Sequence, residues 1–120
     1  MVWSVLFKSV MKQYLIDGLR LEDYQKLKKY FNGHFKASPF GTIFWIELDR
    51  DILTDLQKEH KACKPHVFAA ELEEEYLSCE LLVRITKNIK CDCMGYATVQ
   101  QRNWLIEKVD AILEELEVSI

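Results

Sequence analysis

His60, Cys63 and His66 recur at three-residue spacing, and Cys91-Asp92-Cys93 follows further along the chain. Thiolate and imidazole are soft ligands that suit zinc, which takes four of them in a tetrahedron at about 2.0–2.3 Å. Helical spacing puts His60 and Cys63 on one face, and alternation along an extended segment puts Cys91 and Cys93 on one side. A set drawn from Cys91, Cys93, Cys63, His66 and His60 closes around one ion if that segment ends beside the helix C-terminus. The pattern is not a specific one: C-x-C is not the C-x2-C knuckle of common zinc folds, and His60-x2-Cys63-x2-His66 matches no established spacing. The plain alternative makes Cys63 and Cys79 small buried hydrophobes and leaves the histidines at the negative pole of a helix. A thiol-redox pair at Cys91 and Cys93 is a third reading. Lys90 lowers a thiolate pKa there and Asp92 raises it, so no activated nucleophile is implied.

Other constellations weigh out as structure. Asp49-Arg50-Asp51 follows a strand, where paired carboxylates can hold Mg²⁺ for phosphoryl chemistry. Such chemistry also needs a phosphate cradle, and the chain has no Gly-rich loop and only 4 glycines. The acids instead precede a helix and favour its N-terminus. Lys26, Lys28, Lys29 and Lys36 are interleaved with Tyr24, Tyr30, Phe31, His34 and Phe35, a mixture that can stack bases and track phosphates. The aromatics, however, follow the apolar stripe and the lysines the opposite face, so nucleic-acid binding is not expected. His34, just after a helix stop, is placed to bond the last carbonyls. Glu71, Glu73, Glu74, Glu75 and Glu80 form an acidic group expected to guard a strand edge against unwanted pairing. No G-x-S-x-G is present, and the serines have no histidine close by in sequence, so no triad is indicated.

The elements that must position these residues follow from periodicity. Residues 1–16 lean to strand, and Asp17-Gly18 is a turn signal. Met11 is a second candidate start, which would leave residues 1–10 as an appendage. From Leu21 the spacing of Leu21, Tyr24, Leu27 and Phe31 predicts a helix, which Asn32-Gly33 is expected to stop. Lys36 to Gly41 reads as a loop. Thr42 to Asp49 reads as a strand, with Thr42, Phe44, Ile46 and Leu48 on one face. Thr54-Asp55-Leu56-Gln57 is a capping box opening a short helix through about Ala62, ended before Pro65. Residues 66–86 fit either period; the apolar, β-branched second half favours a hairpin turning near Glu73 to Glu75. Thr98-Val99-Gln100-Gln101 is a second capping box. It opens an amphipathic helix whose stripe is Trp104, Leu105, Val109, Ile112, Leu113 and Leu116. The two Thr-x-x-Gln boxes are too short a match to mean duplication.

The order strand, helix, strand, helix, strand, strand, helix predicts an α+β fold: a mostly antiparallel sheet covered on one face by helices. With 120 residues, 49% hydrophobic and 29% charged, the chain has the balance of one globular domain spanning 1–120. Its net charge of −3 provides no general attraction to nucleic acid or anionic membranes. No segment has the roughly 20 apolar residues of a membrane span. The 4 cysteines are too sparse for a disulfide framework, and no secretory signal precedes the fold, so the cytoplasm is the expected compartment. No motif names a reaction. The expectation is a small non-catalytic binding domain, self-associating or part of an assembly. Trp3, on an exposed N-terminal strand, is its candidate anchor for edge-strand pairing with a second copy. The alternative is the zinc-type or thiol site around Cys91-Asp92-Cys93.

Overall fold

The computed structural model describes residues 12–39, 41–86 and 91–118. Trp3, the candidate second start Met11 and the N-terminal appendage lie outside the described residues. The elements in chain order are β1 (Gln13–Asp17), α1 (Leu21–His34), β2 (Lys36–Ala37), β3 (Ile43–Glu47), α2 (Asp55–Glu59), β4 (His66–Leu72), β5 (Tyr76–Glu80), β6 (Leu82–Ile85), β7 (Gly95–Tyr96) and α3 (Val99–Glu115). Two 3-10 turns, Arg50–Ile52 and Lys61–Cys63, flank α2. The strands form one sheet in the order β1-β5-β4-β3-β2, with β6 pairing β4 and β7, and every pairing is antiparallel.

Alternation assigns the two faces. Phe44 and Ile46 on β3, Phe68 and Ala70 on β4, and Leu77 and Cys79 on β5 are all buried on one side. Leu27 and Phe31 of α1 and Leu105, Val109, Ile112 and Leu113 of α3 pack into the same cluster. Phe31 meets Phe44 edge-on at 5.4 Å and Phe68 stacks on Trp104 at 6.4 Å, so both long helices cover one face. This is the α+β arrangement predicted. The intervening residues Ile43, Trp45, Ala69 and Ser78 are half-buried on the other side. Among the described residues no helix is long and apolar enough to cross a membrane.

The ambiguous stretch is a hairpin. Glu73 N–H donates to Tyr76 O at 2.9 Å and Tyr76 N–H returns to Glu73 O at 3.3 Å. A bulge then interrupts its second arm. Ala70 faces Cys79 and Val67 faces Arg84, so two residues of β4 span the same length as the four residues 80–83. At the bulge Leu81 N–H donates to Lys12 O, and Leu81 O accepts from Ala97 N–H, each at 2.9 Å. The outer edge therefore pairs β1 before the bulge and β7 after it, which fixes the chain just C-terminal to Cys93.

Several expectations are corrected. Asn32-Gly33 does not stop α1, which runs on through His34; His34 Nδ1 then meets Tyr30 O at 2.8 Å. The loop after α1 contains β2, which pairs β3. The second helix ends at Glu59 and continues as the separate turn Lys61–Cys63. Glu71 and Glu80 lie on the inner strands β4 and β5 and guard no edge; Glu71 accepts from Tyr76 Oη and Glu80 pairs with Arg84.

Candidate metal centre

Four ligand-type side chains converge beyond the end of α2. His60 caps that helix with φ −89° and ψ 64°, and the chain closes at once into the 3-10 turn, Cys63 N–H donating to His60 O at 3.0 Å. In a 3-10 turn, residues three apart are eclipsed, which brings His60 and Cys63 onto the same side. The second pair comes from a turn. Met94 N–H donates to Cys91 O at 3.2 Å, so Cys91-Asp92-Cys93 is folded back on itself. The extended segment expected for C-x-C is thus corrected; a tight turn brings both sulfurs inward where alternation alone would only have kept them parallel.

The ligand atoms of His60, Cys63, Cys91 and Cys93 all lie within 4.8 Å of one another. His60 Nδ1 is 2.8 Å from Cys91 Sγ and 4.0 Å from Cys63 Sγ, and the Cys63 and Cys91 sulfurs are 3.5 Å apart. Zinc–ligand bonds of about 2.0–2.3 Å make tetrahedral edges of about 3.5–3.8 Å. The observed separations, from 2.8 Å up to 4.8 Å, bracket those edges. Cys63 and Cys93 are buried and His60 and Cys91 half-buried, with Ile85 and Met94 packed around them.

The two cysteines of the turn are shifted in opposite directions. Cys91 is drawn down to about 7, first by the Cys93 amide donating to its sulfur, then by the thiols of Cys93 and Cys63 and by His60. Cys93 is pushed up to about 12 by burial and by its bonds to Cys91 and Cys63. The bonds that favour one thiolate thus disfavour its neighbour. A divalent cation at the centre would remove that conflict, because a coordinating thiol ionises outright.

His66, the fifth candidate ligand, is outside this group. It opens β4 opposite Ile85, is 2% exposed, and neither ring nitrogen has a hydrogen-bond partner among the described residues. Burial holds its pKa below the ordinary histidine value, and His60 and Lys64 add to that. Cys79 lies in the main core, pushed up to about 12 by burial alone. Asp49, the first carboxylate of Asp49-Arg50-Asp51, accepts from Trp104 Nε1 at 3.3 Å, and Arg50 and Asp51 form the 3-10 turn. In the Lys/aromatic stretch Phe31 is buried, Tyr24, Tyr30 and Phe35 pack on the core, and the four lysines face outward.

Two residues near the centre were legible only as parts of helix caps. Gln57 and Gln101 complete the boxes of Thr54 and Thr98, as expected, with Gln57 N–H to Thr54 Oγ1 at 3.2 Å and Gln101 N–H to Thr98 Oγ1 at 3.1 Å. Their side chains reach further: Gln57 Nε2 donates to Cys93 O at 3.2 Å, and Gln101 Nε2 donates to Gln57 Oε1 at 2.8 Å. A bond between residues 44 apart leaves no trace in local pattern. No protein-family model, no curated protein and no solved structure matches this chain, so the reading of the centre rests on its own geometry.

Proposed function

We propose that the chain is a non-catalytic α+β binding module in which His60, Cys63, Cys91 and Cys93 hold one Zn²⁺ in a structural role. The observation that carries this is the convergence of one imidazole and three thiols within 4.8 Å from two distant segments. Four protein ligands complete a tetrahedron and leave no open position for a substrate or water, as a catalytic zinc requires. The ion joins the turn after α2 to the turn before β7, two segments otherwise packed through few apolar side chains.

Elemental analysis of protein purified without a polyhistidine tag, with thiols counted on the same sample, tests this reading. The expected result is about one zinc per chain, with the three cluster thiols unreactive until a chelator is added. Substituting Cys91→Ser and Cys93→Ser together abolishes the zinc. A metal-free protein whose 4 cysteines all titrate on unfolding sinks the proposal. The 3.5 Å approach of the Cys63 and Cys91 sulfurs favours, as the second reading, a thiol pair that closes to a disulfide under mild oxidant.

The cytoplasm remains our proposed compartment, since 4 cysteines in 120 residues are too sparse for a disulfide framework. Self-association or a protein partner is proposed for the binding role; Tyr96 and Val99, 55% and 65% exposed on either side of the Thr98 cap, support it. Light scattering of the wild type against Tyr96→Ala and Val99→Ala tests it: an oligomer that dissociates in either variant is expected.

A further inference from the structure

We propose that Gln57 and Gln101 are positioning residues of the metal centre, joining it to the N-terminus of α3 so that ion loading and docking of that helix are coupled. The proposal rests on the zinc reading above. It starts from an oddity of residue choice. At the N3 position of a capping box, glutamate serves as well as glutamine and adds a favourable interaction with the helix dipole. Both boxes here carry glutamine, and both glutamines are buried, Gln57 at 4% and Gln101 at 0% exposure.

The hydrogen bonds explain the choice. Gln57 Oε1 accepts from Thr54 N–H at 3.0 Å and from Gln101 Nε2 at 2.8 Å, and its Nε2 donates to Cys93 O at 3.2 Å. Gln101 Oε1 accepts from Thr98 N–H at 3.1 Å, and its Nε2 also donates to Ile52 O at 2.9 Å. Reversing either amide would set donor against donor at the cap and acceptor against acceptor beyond it, so one orientation satisfies the whole chain. A carboxylate at either position keeps the cap and loses the onward donation. Only an amide does both.

The chain ends on the metal centre. Cys93 is a buried member of the ligand set, and the Gln57 amide holds its carbonyl, which fixes the peptide from which its Sγ projects. Groups that orient a ligand without touching the metal typically govern 10–100-fold in affinity. At the other end Gln101 reaches the 3-10 turn before α2 through Ile52. Whatever holds Cys93 in place therefore holds the first turn of α3, and by linkage the reverse is true.

The test is zinc affinity by chelator competition in Gln57→Glu, Gln101→Glu and the exposed control Gln100→Glu, with the visible absorption of the cobalt(II)-loaded proteins. Gln57→Glu should weaken zinc about 10–100-fold and alter the cobalt(II) bands. Gln101→Glu should lower affinity in the same direction by less, and Gln100→Glu should match the wild type. Far-ultraviolet dichroism checks that each variant is folded before its affinity is compared. Hydrogen exchange on the wild type, loaded and stripped, tests the coupling without substitution, even if Gln57→Glu does not fold. Stripping should deprotect the first turn of α3 as well as both ligand turns. Wild-type affinity in Gln57→Glu, or exchange changes confined to the ligand turns, overturns this proposal and leaves the zinc reading standing. A wild type that takes up no zinc overturns both.

Discussion

The molecule has two buried clusters, and they are stabilised by different means. Beneath α1 and α3 lies a continuous apolar core in which Phe31, Phe44, Phe68, Leu77 and Leu105 are fully buried. At the far end of the sheet Cys63, Ile85 and Cys93 are buried alone, with Cys91 and Met94 against them. Burying a large apolar side chain contributes about 1.5–3 kcal/mol, while ordering each residue's backbone costs about 1–2 kcal/mol. The large cluster offers 17 buried residues to that contest; the small one offers three, with the Cys/His group at its centre. Cysteine serves both: Cys79, surrounded by hydrocarbon, has its thiol pushed up by burial, whereas Cys91, bonded by an amide and beside an imidazole, is drawn toward the thiolate. The surroundings, not the residue type, decide which.

The comparison breaks most visibly if the proposed zinc is kept out. Chelation, or Cys93→Ser, should abolish zinc binding, for which structural sites show apparent free energies of about 10–16 kcal/mol. Mass-spectrometric hydrogen exchange should then show residues 91–97 unprotected, with β3, β4 and β5 still protected; uniform loss across the sheet would mean the two clusters are one cooperative unit. Next in size is Phe68→Ala, expected to cost about 3–5 kcal/mol in urea unfolding with zinc stoichiometry unchanged. Cys79→Ala sharpens the contrast between cysteines: about 1 kcal/mol of stability and no zinc should be lost. A fall in zinc content in that variant would contradict the division drawn here.

The smallest effect is a pH dependence. His66 has a folded pKa below its unfolded value near 6.5, because burial favours the neutral ring. The unfolded state takes up the proton first, so this contribution is complete above about pH 6.5 and is lost as pH falls through that value toward the folded pKa. Thermal melts of the chelator-treated protein should therefore destabilise more steeply below about pH 6.5 than melts of His66→Leu. Parallel curves would mean that the ring finds a partner or solvent.

What was legible beforehand was local. Both capping boxes and the stripe of α3 depend on residues at helical spacing, and they appear as read. The turn at Glu73 to Glu75 was found because its second arm is apolar and β-branched. Where local signals competed with packing they misled. Gly33 has weak helix propensity, yet α1 continues past it because Phe31 is anchored in the core and Phe35 packs on Phe31 at 5.1 Å. Strand β7 is only Gly95–Tyr96, too short for any period to announce; it exists because the bulge at Leu81 frees an edge for it.

The sequence by itself determined the element types, the apolar faces and the inventory of soft ligands, because these follow from backbone geometry and side-chain chemistry over a few residues. Only the tertiary structure decided which ligands meet. His60 and Cys63 join Cys91 and Cys93 because a 3-10 turn and a β-turn, 28 residues apart between Cys63 and Cys91, are delivered to one place by the β4–β6 pairing. The same pairing sets His66 at the start of β4 and outside the group. Distance between segments is a property of sheet register, and no local spacing encodes it.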